Sequence, residues 1–130
     1  MRSPNRILLV EDDTSLRETL ADVLSDEGFE VAAAANGREA LDQLAASHPD
    51  LILLDLVMPV MDGWAFREEQ RKVPDLASIP TVVLSATSPI EAPGLRELDA
   101  EAVLSKPVRM ERLIGALRAL LQEPPSKLKH

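Results

Sequence analysis

Leu51-Ile52-Leu53-Leu54-Asp55 is the stretch that decides the fold. A strand with one wet face alternates apolar and polar residues. This run is apolar at every position up to Asp55, so it predicts a central strand covered on both faces. A carboxylate that ends such a run is expensive to bury without a purpose.

Toward the N-terminus, Ile7-Leu8-Leu9-Val10 makes a first strand that stops at Glu11-Asp12-Asp13. The spacing then becomes helical, with Leu16, Leu20, Val23 and Leu24 on one face and Ser15 to Glu18 matching a capping box. Gly28 supplies the left-handed position that ends a helix. Glu30-Val31-Ala32-Ala33-Ala34 reads as a weaker strand. Asn36 caps a helix with Ala40, Leu41, Leu44 and Ala45 inward, and His48-Pro49 ends it.

Toward the C-terminus, a loop over Leu56 to Asp62 precedes a helix from Gly63 to Arg71. Thr81-Val82-Val83-Leu84 is a fourth strand, and Pro89, Pro93 and Gly94 leave at most a short, irregular fourth helix after it. Ala102-Val103-Leu104-Ser105 is a fifth strand, and Met110, Leu113, Ile114, Leu117, Leu120 and Leu121 stripe a final helix. Residues 1–5 read as an N-terminal extension, 6–123 as one domain, and 124–130, opening on Pro124-Pro125, as a basic tail. Strand and helix alternate throughout. That pattern predicts an α/β, flavodoxin-like, doubly wound parallel sheet of five strands with helices on both faces.

Composition narrows the function. The 130 residues carry 14 Lys plus Arg against 22 Asp plus Glu, a formal charge of -8. That balance argues against direct nucleic-acid binding, which needs a cationic surplus. With no Cys, disulfides, thiolate metal sites and a Cys nucleophile are excluded. Aromatics are 2% of the chain, too few for base- or sugar-stacking platforms. No apolar run approaches the roughly 20 residues that cross a bilayer, and the first residues do not resemble a signal peptide. The expectation is a soluble, cytoplasmic protein.

In such a sheet, ligands bind beyond the carboxyl ends of the strands, where strand order reverses. The first strand ends in Glu11-Asp12-Asp13, the third in Asp55, the fourth in Ser85 and the fifth in Lys106-Pro107. With strand order 2-1-3-4-5 the acidic ends converge. Carboxylates gathered this way repel one another unless a cation or a proton relieves them. Oxygen ligands without His or Cys favour Mg²⁺. A carboxylate beside such an ion is a plausible nucleophile, and Lys106 and Ser85 supply a charge and a hydroxyl for a phosphoryl group. Asp13 reads as a solvated or helix-capping residue, and His48, Met58 and Met61 as structural.

At these residues the chain resembles a response-regulator receiver domain, the phosphoacceptor module of two-component signalling. The likeness runs from Ile7 to Asp13, through Asp50-Leu51-Ile52-Leu53-Leu54-Asp55-Leu56-Val57-Met58-Pro59 and Met61-Asp62-Gly63, to Lys106-Pro107. It implies that Asp55 accepts phosphate from the phosphohistidine of a histidine kinase or histidine phosphotransfer protein. Mg²⁺ would be held by Asp12, Asp55, the Val57 backbone carbonyl and, mostly through water, Glu11. Ser85 and Lys106 would contact the phosphoryl group, Thr87 and Val57 would tune its lifetime, and Pro107 would follow a cis peptide. Such a protein catalyses only its own phosphorylation and dephosphorylation, is not otherwise an enzyme, and signals by binding an unidentified downstream protein. The chain reads as a stand-alone receiver, compatible with a monomer or a weak dimer.

Where relatives carry Tyr or Phe, three residues before the Lys, this chain has Val103, which cannot make the same rotation; the output face is expected to report phosphorylation differently or weakly. Arg67 and Gln70 stand where the third helix is usually apolar, so a loosely held helix is expected. The rival readings are a pseudo-receiver that signals without phosphate, and a Mg²⁺-dependent aspartyl-phosphate phosphatase. Val57 stands where the phosphatase would need a second Asp. A flavin carrier would need hydroxyl-rich and aromatic loops.

Overall fold

The computed structural model describes residues 5–55, 63–85 and 100–121. Val57, Met58, Met61, Thr87, the Pro89 to Gly94 interruption with its expected helix, residues 1–4 and the tail lie outside them.

Five strands, β1 (Arg6–Val10), β2 (Glu30–Ala34), β3 (Leu51–Asp55), β4 (Thr81–Ser85) and β5 (Ala102–Ser105), form one parallel sheet in the order β2-β1-β3-β4-β5. Every residue of β3 and β4 is buried, as the unbroken apolar run of β3 requires. Alternation along the strands divides the core. Ile7, Leu9, Leu51, Leu53, Val82 and Leu84 face one layer, which α1 (Thr14–Asp26) and α5 (Met110–Leu121) close through Leu20, Leu24, Leu113 and Leu117. Leu8, Val10, Ile52, Leu54 and Val83 face the other, closed by Ala40 and Leu44 of α2 (Gly37–Ala46) and Phe66 of α3 (Gly63–Arg71). No helix among the described residues is long and apolar enough to cross a membrane.

The helix ends show which local signals prevailed. Asn36 caps α2 as expected, accepting the Glu39 N–H at 2.9 Å, and Gly28 stands at φ 100° after α1. The cap of α1 is Asp13, whose carboxylate accepts the Leu16 N–H at 2.8 Å. The capping box expected at Ser15 is therefore displaced two residues, because the helix begins at Thr14 and already contains Ser15. Pro74 opens a single helical turn, α4 (Pro74–Ala77), too short to leave a periodic signal.

The reason for expecting a loosely held α3, polar side chains without partners, is absent. Gln70 and Arg67 are buried, and each has partners. Gln70 Nε2 donates to the Leu76 carbonyl at 2.8 Å. Arg67 Nη1 donates to Gln70 Oε1 at 3.0 Å and to Thr81 Oγ1 at 3.1 Å. Glu101 then accepts the Thr81 N–H at 2.7 Å. A polar seam thus ties α3 to the α4 turn, β4 and the approach to β5. Buried polar groups satisfied in this way hold an element in register.

Candidate functional site

The strand order puts β1 beside both β2 and β3, so the chain reverses its winding there and opens a crevice at the carboxyl ends of β1 and β3. Glu11 follows β1 directly, with its N–H donated to the Ala34 carbonyl at 3.0 Å, and is buried. Asp12 is exposed on the turn that follows, and Asp55 ends β3, buried. One carboxylate oxygen from each of the three lies within 4.8 Å of the others.

Lys106 enters from β5 and pairs with Asp55, Nζ to Oδ1 at 3.0 Å. Its own N–H donates to the Ser85 carbonyl at 2.7 Å, which seats the β5 end against β4. Ser85, also buried, ends β4 one residue beyond Leu84, the residue in register with Asp55. The Lys106–Pro107 peptide is cis. Val103 is half-buried against the layer that holds Phe66 and Val83, where it packs as an ordinary aliphatic.

The Glu11 carboxylate shows the cost of its burial. Burial pushes the Glu11 carboxyl up from 4.5 to about 7. The Asp13 amide opposes that rise, donating to Oε2 at 3.2 Å; Asp55 adds to it through a hydrogen bond and like charge, and Lys106 works against it. The second oxygen, Oε1, is buried and has no hydrogen-bond partner among the described residues. An orphaned carboxylate oxygen within reach of two more carboxylates is what a hard divalent cation relieves. The donor set therefore fits Mg²⁺: all oxygen, with Asp12 open to solvent for an ion that keeps several waters.

The crevice thus brings together Glu11, Asp12, Asp55 and Lys106 and sets Ser85 at the neighbouring strand end. Asp13 serves the helix. Sequence reasoning missed Arg17, whose Nη1 donates to the Glu11 carbonyl at 2.9 Å and the Asp12 carbonyl at 3.4 Å. The signal was present as a cation one turn into α1 after an acidic pair.

A doubly wound parallel domain with an acid-lined switch point and a lysine just beyond the last strand belongs to the flavodoxin-like class of α/β folds, and comparison with known proteins makes the class specific. Residues 7–118 match the response regulator receiver domain. The response regulator MprA of Mycolicibacterium vanbaalenii is 40% identical over 121 residues, 92% of this chain and 51% of MprA. The chain spans about half the length of the curated relatives it matches. The signal receiver domain of a signal transduction histidine kinase from Syntrophus aciditrophicus is 34% identical with a TM-score of 0.84, covering 91% of this chain and 90% of that one. The response regulator TrrA of Thermotoga maritima, solved in complex with Mg²⁺-BeF, is 31% identical with a TM-score of 0.78 over 89% and 98% of the two chains. The protein belongs to the response-regulator receiver family of two-component signalling.

Proposed function

We propose that Asp55 accepts a phosphoryl group from the phosphohistidine of a histidine kinase or histidine phosphotransfer protein, and that the phosphorylated domain signals by binding a downstream protein. The observation that carries this reading is the cluster itself: three carboxylates within 4.8 Å, one with an orphaned buried oxygen, and Lys106 3.0 Å from Asp55. The Mg²⁺-BeF complex of the related TrrA supports it.

The Asp55 carboxylate attacks phosphorus as the P–N bond to the donor imidazole breaks, and the imidazole leaves with the electron pair. Asp12, Asp55, the Val57 carbonyl and, through water, Glu11 would hold Mg²⁺, which neutralises charge on the transferring group. Lys106, already paired with Asp55, follows the new charge onto the phosphoryl oxygens, and Ser85 at the adjacent strand end supplies a hydroxyl donor. The reaction is the protein's own modification, and no external metabolite is turned over.

An apolar groove of about 380 Å³ lies between α1 and the start of α5, with Leu16, Leu20, Leu84, Lys106, Val108 and Met110 among its lining. Because Lys106 lines both groove and crevice, an apolar helix of the phosphodonor seated there would bring its histidine toward Asp55. The test is transfer of radiolabel from a phosphohistidine donor or acetyl phosphate in Mg²⁺. Wild type takes up label and Asp55→Ala does not. Unlabelled wild type refutes the proposal and favours a phosphate-independent module.

A further inference from the structure

Asp12 is the exposed member of the acidic cluster, and among the described residues no hydrogen bond or ion pair holds its carboxylate. Its direction is therefore set by the main chain of the turn that carries it. Glu11 is tied to the sheet through its N–H, and the Asp13 carbonyl and carboxylate are taken up by the Arg17 and Leu16 amides at the start of α1. Between those anchors the carbonyls of Glu11 and Asp12 leave the strand ladder, and both are met by one guanidinium. Arg17 Nη1 stands 2.9 Å from the first and 3.4 Å from the second.

We infer that Arg17 is a positioning residue for the metal: by holding the carbonyls of Glu11 and Asp12 from α1, it aims the Asp12 carboxylate into the cluster. The inference rests on the reading that the cluster binds Mg²⁺. A half-buried arginine whose donors go to backbone rather than to the neighbouring carboxylates spends its hydrogen bonds on the path of the chain. Outer residues that orient ligands are typically worth 10- to 100-fold in metal affinity.

Electrostatics alone predicts the opposite sign. Arg17 is a cation beside the cation site, so deleting its charge would tighten Mg²⁺ binding if charge were all it supplied. A purely structural role would lower the melting temperature and leave the affinity of the folded protein unchanged. Only positioning predicts weaker binding in a protein that is still folded.

The experiment is calorimetric titration of the full chain with Mg²⁺ alone, with folding followed by circular dichroism. Arg17→Met, which keeps an apolar stem, is expected to bind about tenfold more weakly than wild type. Arg17→Lys keeps the charge but lacks the planar fork, and is expected to fall between the two. Equal or tighter binding by Arg17→Met overturns the inference while leaving the proposed function standing. If Arg17→Met does not fold, Arg17→Lys decides alone: weaker binding at unchanged charge supports the inference, and unchanged binding overturns it. Absence of Mg²⁺ binding by wild type overturns both the inference and the function it rests on.

Discussion

Replacing Glu11 with Gln in metal-free protein probes the electrostatics of the crevice through folding stability. In the unfolded chain the Glu11 carboxyl ionises near its ordinary 4.5; in the folded protein, burial raises that to about 7, with Asp55 reinforcing the rise. The folded state thus holds a proton that the unfolded state releases. Its contribution to stability is fully present below pH 4.5 and is lost as pH climbs through 7. At about 1.4 kcal/mol for each pH unit, the whole change is on the order of 3 kcal/mol. Gln, neutral and of the same shape, removes this dependence. In EDTA, the stability of Glu11→Gln relative to wild type is expected to rise by on the order of 3 kcal/mol between pH 4.5 and 8. At this chain length that corresponds to roughly 10 °C in melting temperature. Saturating Mg²⁺ favours the ionised wild-type carboxylate and closes the gap at high pH. Urea denaturation and thermal melts of both proteins across that range provide the measurement. Parallel pH profiles in EDTA would refute the reasoning, since they would mean that folding does not change the ionisation of Glu11.

Three further outcomes follow from the crevice and from the seam under α3. Lys106→Met removes the ammonium that competes with a divalent ion for Asp55, so Mg²⁺ affinity is expected to rise several-fold while labelling from acetyl phosphate slows by about 100-fold; calorimetry and label uptake read the two effects separately. Gln70→Ala leaves the buried Arg67 without its Oε1 partner and removes the side-chain donor to the Leu76 carbonyl, which keeps the Ile79 N–H at 3.2 Å, at a cost of about 3 kcal/mol by urea denaturation. In wild type, hydrogen exchange is expected to protect the buried face of α3 as well as that of α5, and Gln70→Ala to lose that protection first.

Much of the fold was legible because burial on both faces of a parallel sheet writes itself as uninterrupted apolar runs. Leu51 to Leu54 and Val82 to Leu84 need no partner to be recognised, and the strand-end rule turns recognised strands into a short roster of candidate site residues, Glu11, Asp12, Asp55, Ser85 and Lys106. Gly28 and Asn36 were equally legible, since each answers a local need of the backbone at a helix end.

The capping of α1 was misplaced for a reason also seen elsewhere in the chain. Ser15 to Glu18 and Asp13 to Leu16 are both acceptable local caps, and the choice depends on where β1 releases the chain. Gln70 and Arg67 looked like defects in an apolar face because their partners, the Leu76 carbonyl and Thr81, lie in other elements. Arg17 showed in the sequence only as a cation after an acidic pair, because its contacts are to backbone, which has no sequence of its own.

By itself the sequence determined the five strands, the helices α1, α2, α3 and α5 and the residues that end each strand, because apolar periodicity and strand-end position are properties of neighbouring residues along one chain. Tertiary structure alone decided that Glu11 is buried while Asp12 beside it is open, that Lys106 reaches Asp55, and that Arg17 grips the turn between them. Charge, solvation and hydrogen bonding act through space, and the residues that set them here stand far apart along the chain, as Asp55 and Lys106 do.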